Sequence, residues 1–392
     1  MYSAILIVGL AACSLFVAVH SAYFLLVLRT KAEKEYFDML GRALSEALPA
    51  QELPTVSVVI PVHNEEQVIQ RKMSEIAELD YPAEKIEVLL VDDCSADRTV
   101  EISRKAMASA GLNLRILANT ERMGTNACYN TGIGRSTGSL VLTTDADVTL
   151  SKDALMSAAK ILVRLRDVGG ITARTVTISG EESSATVMER SYRATFDKMS
   201  TAESAIHSTF PGYTACMILR RSAFSPMSAD YGSSDGNISL GIIRRGLRFI
   251  YVPHIFFYEH ISGKLDEQKA QKIRRAARLI QSTLRNRDML FKSQHRAFGS
   301  LVFPLRFSMM IICPPLLLVG GLLLVVWAAI TFLPFALVAV LLLSSLVYVG
   351  TKVRLAEMNF FSSVLAHEFY LLCGLFESRK SFATWSRDGR GK

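Results

Sequence analysis

Two long apolar runs frame a segment in which short apolar runs alternate with polar, helix-patterned ones. Residues 1–28 hold no Lys, Arg, Asp or Glu, and Phe307 to Thr351 is a second uncharged stretch. A helix crosses a bilayer with about 20 apolar residues. The first run therefore predicts one span, and the second predicts two with a turn near Thr331 to Pro334. Met358 to Phe376 is also apolar but carries His367 and Glu368, which favours an interfacial or re-entrant helix over a full span. The first run has no basic start, an apolar core too long for a signal peptide and no obvious small-x-small cleavage site, so it reads as a retained anchor.

Between the runs the hydrophobic period changes repeatedly. Residues 30–53 pattern as a helical linker that stops at Pro54. Val56-Ser57-Val58-Val59-Ile60 is β-branched and apolar, a buried strand, and Asn64 can cap a helix from Glu65 to Leu79. Ile86 to Val91 is a second strand, followed by a helix to Ala110 capped by Ser95 or Asp97. Leu114 to Leu117 is a third strand, Asn126 to Ile133 is helical, and Ser139 to Thr144 is a fourth strand. This alternation predicts an α/β fold with a mainly parallel sheet covered by helices on both faces. The expected organisation is an N-terminal transmembrane helix (1–29), the linker (30–53), the α/β domain (54–262), basic interfacial helices (263–305), two transmembrane helices (306–351), and an interfacial helix with a basic tail (352–392).

Charge refines that picture. The net charge is +8, with 44 Lys and Arg against 36 Asp and Glu. The basic residues crowd next to the apolar runs, with ten between Lys264 and Arg296 against Asp266, Glu267 and Asp288. Anionic lipid head groups account for this placement better than nucleic acid does. The positive-inside rule puts residues 30–305 and the tail in the cytosol, at the cell membrane. The six cysteines are scattered without a CxxC pair, which fits reduced thiols and neither a disulfide framework nor a zinc site.

Asp145-Ala146-Asp147 closes the fourth strand. Residues i and i+2 of an extended segment point the same way, so both carboxylates face one site. Two close anions repel unless a cation lies between them, and a hard divalent ion such as Mg²⁺ or Mn²⁺, which also holds phosphate oxygens, fills that role. The competing reading is a solvated acidic loop. Ligands of parallel α/β sheets bind outside the carboxyl ends of the strands. Pro61-Val62-His63-Asn64, Asp92-Asp93 and Asp145-Ala146-Asp147 all fall at that edge, and their convergence is what predicts a site.

In this order and spacing, Val58-Val59-Ile60-Pro61-Val62-His63-Asn64-Glu65, Val91-Asp92-Asp93-Cys94-Ser95-Ala96-Asp97, Asn126-Ala127-Cys128-Tyr129-Asn130-Thr131-Gly132 and Asp145-Ala146-Asp147 resemble a membrane-anchored family 2 glycosyltransferase with the GT-A fold, over roughly residues 54–260. The resemblance implies that Pro61, His63, Glu65, Asp92 and Asp93 cradle the base and ribose of a nucleotide-sugar. It also implies that Asp145 and Asp147 hold ribose, metal and diphosphate, with Asn130 and Arg122 in support. Capping of the next helix is the alternative for Asp92 and Asp93. In Ser233-Ser234-Asp235-Gly236-Asn237, Asp235 matches the family's general base, and Ser234 stands where Glu is common. A helix N-cap is the other reading of Asp235. Gln271-Lys272-Ile273-Arg274-Arg275 occupies the place of the Gln-x-x-Arg-Trp of processive relatives. Gln271 would face the acceptor and Arg274 or Arg275 the leaving diphosphate, but Arg275 replaces the Trp. An acceptor-side loop is implied around Gly212. His254, Glu259 and His260 lie towards the membrane, with His260 either assisting the metal or structural.

The activity this implies is inverting, metal-dependent transfer from a nucleotide-sugar to a lipid-linked or saccharide acceptor at the cytosolic membrane face, with Mg²⁺ or Mn²⁺ as cofactor and membrane lipids as partners. A processive polysaccharide synthase and a non-catalytic membrane scaffold are the alternatives. A nucleotidyltransferase would need a Gly-rich basic phosphate loop after the first strand, and Pro61-Val62-His63-Asn64 is unlike one.

Overall fold

The computed structural model describes residues 2–27, 30–179, 184–210, 214, 216–260, 265–352 and 356–381. In chain order the elements are α1 (Tyr2–Val27), α2 (Thr30–Ser45), β1 (Val56–Val62), α3 (Ile69–Ala77), β2 (Ile86–Asp92), α4 (Thr99–Ala110), β3 (Asn113–Ala118), α5 (Thr125–Arg135), β4 (Leu140–Thr144), β5 (Val148–Leu150), α6 (Ala154–Arg164), β6 (Val168–Ile178), α7 (Ser184–Ile206), β7 (Cys216–Arg220), α8 (Ser234–Arg244), β8 (Arg248–His260), α9 (Leu265–Arg285), α10 (Phe303–Phe307), α11 (Cys313–Lys352) and α12 (Ala356–Glu377).

The strands form one sheet in the order β3-β2-β1-β4-β7-β6-β8-β5. The β1, β2, β3 and β4 pairs are parallel, as is β6 with β8, while β7 runs antiparallel to both its neighbours and β5 antiparallel to β8. Alternate residues of each central strand enter different apolar layers. Val56, Val58, Ile60, Val88, Leu90, Leu140 and Leu142 pack on one face, and Val59, Leu89, Val91 and Val141 on the other. Burial on both faces explains why these strands read as continuous apolar runs.

The sheet curls. β4 and β5 are four places apart in its order, yet only Asp145, Ala146 and Asp147 join them. Strands lie about 4.8 Å apart, so four places on a flat sheet span about 19 Å. The Cα steps from Thr144 to Val148 reach at most about 14 Å. Curling is the geometry that lets so short a link reach the far edge.

Several elements differ from the sequence expectation. The first domain helix begins at Ile69, later than Glu65, because Asn64 sits in the left-handed region (φ 55°). Its side-chain oxygen accepts from Ala96 N at 2.8 Å and its own N–H donates to Ser95 Oγ at 3.0 Å. Asn64 thus staples the β1 and β2 loops together and caps no helix. Asp97 does accept the Thr99 N–H at 3.0 Å at the start of α4, and its other oxygen accepts Glu66 N at 3.1 Å. The expected linker helix α2 is packed: Tyr36, Leu40 and Ala43 are buried in the core, and Tyr36 OH donates to Tyr251 O.

Among the described residues, two helical stretches are long and apolar enough to cross a membrane, Tyr2–Leu26 and Phe298–Phe332. The second begins before the expected boundary at residue 306, because its first turns belong to the domain core: Phe298, Val302 and Phe303 are buried. At Phe332 the dihedrals leave the helical region (φ −148°, ψ 70°), so α11 kinks where the sequence predicted a turn. α12 lies along α9, and a Cβ at Gly374 would stand 2.8 Å from Ala276 Cβ.

Away from the candidate site, Glu87 ties the other end of the sheet together. Burial favours its neutral form, but donors from Ser57, Thr137 and Gly138 outweigh this and hold the carboxyl down to about 2 against 4.5. A carboxyl depressed on folding adds stability that is fully present above the unfolded value and is lost as pH falls through the folded value. Glu87→Gln is therefore expected to destabilise the protein strongly at neutral pH and progressively less as pH falls from 4.5 towards 2. Paired chemical-denaturation curves would check this, and a pH-independent difference would contradict it.

Candidate active site

The parallel register places the carboxyl ends of β1, β2 and β4 on one rim, with Val62 opposite Asp92 and Val59 opposite Thr143. Pro61 is buried in β1. The His63 Nδ1–H donates to Asp93 O at 2.9 Å, and its Nε2 accepts from Asn64 at 3.2 Å. Glu65 is anchored through its own N–H, which donates to Thr99 Oγ1 at 2.8 Å. Asp92 is buried at the tip of β2, where its carboxylate accepts the Ser95 N–H at 3.2 Å.

Asp93 is fully buried and inward-facing. Its oxygens accept from Asn119 Nδ2 (2.9 Å), Arg122 Nε (3.2 Å), Met123 N (2.8 Å) and Gly124 N (3.0 Å). Burial opposes ionisation, but these donors win and the carboxyl is held below its ordinary value. Asp93 therefore shapes the turn into α5, and it does so with the Arg122 that sequence reasoning had placed in a supporting role.

Asp145 and Asp147 are half-buried while Ala146 and Val148 are buried, and the tripeptide is a turn in which Val148 N donates to Asp145 O at 3.5 Å, where the sequence predicted an extended segment. Tyr129 OH donates to Asp145 Oδ1 at 3.3 Å. The two side chains supply hard oxygen donors, which fit Mg²⁺ or Mn²⁺. Such ions bind through one or two carboxylates plus substrate phosphates and water, and the described residues form no group of three or more His, Cys, Asp or Glu suited to a metal. Because Val148 pairs with Glu259, His260 lies one position beyond the β5–β8 ladder, on the side of Asp147, and is exposed.

Asp235 lies in the first turn of α8. The N-cap is Ser233, whose hydroxyl accepts the Gly236 N–H at 3.3 Å. That removes the capping alternative for Asp235, whose carboxylate accepts Gly236 N at 2.8 Å and Thr214 N at 3.3 Å. Burial raises its pKa, and the Ser233, Gly236 and Thr214 bonds and the Arg278 charge only partly offset this. The segment before it is clamped from two helices. Asn126 and Asn130 on α5 donate to Ser228 O at 2.9 Å and to Met227 O at 2.7 Å. On α9, Gln281 Oε1 accepts Gly232 N at 3.0 Å and Ser282 Oγ accepts Ser233 N at 3.0 Å. Gly232 needs its missing Cβ, since its φ is +80° and Ser282 Oγ would stand 2.5 Å away.

Arg278, which sequence reasoning missed, is the cation at the centre. It donates to Gly232 O at 3.1 Å and to Asn126 Oδ1 at 3.1 Å. Burial lowers its pKa, while the negative charges of Asp235 and Asp145 act on it in the opposite sense. Tyr129 lies within the field of the same two acids. Tyr129 thus bonds Asp145, and the charges of Asp145 and Asp235 both act on Tyr129 and on Arg278. Arg274 is one turn before Arg278 on α9 and its charge also acts there. Gln271 lies on the same helical stripe. Arg275 points elsewhere: it pairs with buried Glu259 at 3.1 Å, which also binds Arg193 at 3.0 Å. Lys272 likewise pairs with Glu189, at 2.7 Å. α9 is therefore one wall of the site, beyond the membrane-surface role expected of it. The loop position Gly212 lies outside the described residues.

A mixed, mostly parallel, curled sheet with paired acids at its carboxyl rim is a GT-A-type fold. The structure aligns with the mannosyltransferase PcManGT from Pyrobaculum calidifontis, solved in complex with GDP-Man and Mn²⁺, at a TM-score of 0.71 and 24% identity over 93% of this chain and 98% of that one. Residues 57–226 match the model of Glycosyl transferase family 2. Glycosyltransferase AglE of Haloferax volcanii is 44% identical over 95 residues, 24% of this chain and 31% of that protein. An N-acetylglucosaminyltransferase of Rhizobium meliloti is 25% identical over 255 residues, 61% of this chain and 59% of that protein. The chain thus spans less than two thirds of the length of either relative. Residues 57–226, which carry β1 to β7, are thus similar to glycosyl transferase family 2.

Proposed function

We propose that this chain is an inverting glycosyltransferase that moves a sugar from a nucleotide-sugar to a lipid-linked or saccharide acceptor at the cytosolic face of a membrane. What supports the reading is that Asp145 and Asp235 both act on the charge of Arg278, while Asp92 lies at the carboxyl end of β2 opposite Val62 of β1. Pro61, His63, Glu65 and Asp92 hold the nucleoside, with Asp93 acting through the turn it shapes. Asp145 and Asp147 hold a divalent metal that, when bound, neutralises charge on the departing diphosphate. Asp235 takes the proton of the acceptor hydroxyl as that oxygen attacks the anomeric carbon, and the bond from that carbon to the diphosphate oxygen breaks on the opposite face. Arg278 and Arg274 face the developing negative charge, and Gly212 and Gln271 are on the acceptor side.

The two apolar stretches and the basic residues beside them favour an acceptor presented at a lipid surface. A single transfer is preferred over processive synthesis, because Arg275 stands where processive relatives carry Trp and is paired with Glu259.

The test is release of nucleoside diphosphate from UDP-, GDP- and dTDP-sugars by the full-length protein in Mn²⁺. Asp147→Ala is expected to weaken Mn²⁺-dependent donor binding by about tenfold or more. Calorimetric affinity unchanged by that substitution would contradict the assignment, and inertness towards every donor would remove the reading.

A further inference from the structure

The strand that follows the acidic tripeptide has an unusual outer edge. β5 is the last strand of the sheet, and it pairs with β8 on one side only. Ser151 N donates to Phe256 O at 3.0 Å, so odd-numbered residues turn their backbone groups towards β8. The backbone groups of Val148 and Leu150 therefore face away from the sheet. A buried edge cannot leave such groups without partners.

Two side chains of α3 supply those partners. Lys72 Nζ donates to Val148 O at 2.6 Å, and Glu75 Oε1 accepts the Leu150 N–H at 2.5 Å. The two are paired at 3.3 Å, and the Lys72 side chain has no exposed surface while that of Glu75 keeps 12%. Together they stand in for a neighbouring strand. A buried ammonium is costly unless paired and hydrogen-bonded, so this placement calls for a return. The residue gripped by Lys72 is the one directly after Asp147.

We propose that Lys72 and Glu75 are positioning residues for Asp147, fixing the edge strand so that its carboxylate meets the metal beside Asp145. This rests on the reading of Asp147 as a metal-holding residue. Asp147 leads straight into β5, and neither of its flanking residues has a bulky polar side chain to steady it. Its place in the cleft is then set by where β5 lies against α3.

The test titrates Mn²⁺ into full-length protein in detergent with UDP and GDP both present, following free Mn²⁺ by electron paramagnetic resonance. Lys72→Met and Glu75→Ala are each expected to weaken Mn²⁺ binding about tenfold, as loss of an outer-shell support does, with Lys72→Arg restoring most of it. The double variant is expected to lose little more than either single one, since both act on one strand. Glu75 is at the margin of the core, so Glu75→Ala decides the matter if Lys72→Met does not fold. Should Asp147→Ala weaken Mn²⁺ while Glu75→Ala stays within about twofold of wild type, the positioning role is overturned and the metal reading stands. A lower melting temperature without a change in Mn²⁺ affinity overturns it equally. An Asp147→Ala variant that binds Mn²⁺ normally removes the metal reading, and this inference with it.

Discussion

Asp235→Asn is expected to abolish sugar transfer while leaving donor binding nearly intact. The amide oxygen can keep the shorter bond from Gly236 N, which Oδ1 accepts at 2.8 Å, and only the longer bond from Thr214 N to Oδ2 at 3.3 Å is lost to the NH2 group, so the first turn of α8 should hold its shape. What is lost is the basic oxygen. Removing a positioned general base costs about 10²- to 10⁴-fold. Burial raises the Asp235 pKa, and only the ionised form can take a proton. The rate should therefore fall as pH falls through that raised value, at a higher pH than an ordinary aspartate would give. A pH–rate profile of the wild type and a donor titration of Asp235→Asn check the two halves of this. An active Asn variant would take Asp235 out of its role.

Glu203→Ala is expected to give the largest loss of stability. Its fully buried carboxylate accepts from Arg306 Nε at 2.6 Å, Tyr23 OH at 2.5 Å and Thr209 Oγ1 at 2.7 Å. Arg306 is itself buried and lies over the rings of Tyr23 and Phe196. Deleting the acid leaves a buried guanidinium without its counter-charge, which costs about 3–5 kcal/mol. Melting followed by ellipticity in detergent should show a large fall for Glu203→Ala. Much of it should return in Glu203→Leu combined with Arg306→Met, because replacing both partners by apolar groups avoids the stranded charge. A Glu203→Ala protein that melts like the wild type would contradict this.

The reading of the sequence was most accurate where local pattern and tertiary demand coincide. Strands β1, β2 and β4 are covered on both faces, so their β-branched runs report burial directly. Strand periodicity predicts that Asp145 and Asp147 share a side, but the tripeptide is a turn, because so short a link must swing from β4 to β5. The distant parts were less legible. Asn64 looked like a helix cap because short polar residues serve caps and sharp turns equally. In α9 the family motif drew attention to Arg274 and Arg275, but which face of a helix meets the site is set by what packs behind it. Glu259 and Glu189 claim Arg275 and Lys272 for the back, which turns Arg278 to the front. The Gln281-Ser282 pair one turn further on was the available signal, since polar residues in register with Arg278 mark a face that meets backbone. Lys72 has no sequence signal of its own, and its burial follows from the edge strand that the curl of the sheet brings against α3.

That curl has a mechanical consequence. Asp145 follows a central strand and Asp147 precedes the outermost one, so whatever grips both carboxylates also clasps the rim of the sheet. Ligand affinity and cohesion of that rim then draw on one free energy, and occupancy stiffens the scaffold that made it possible.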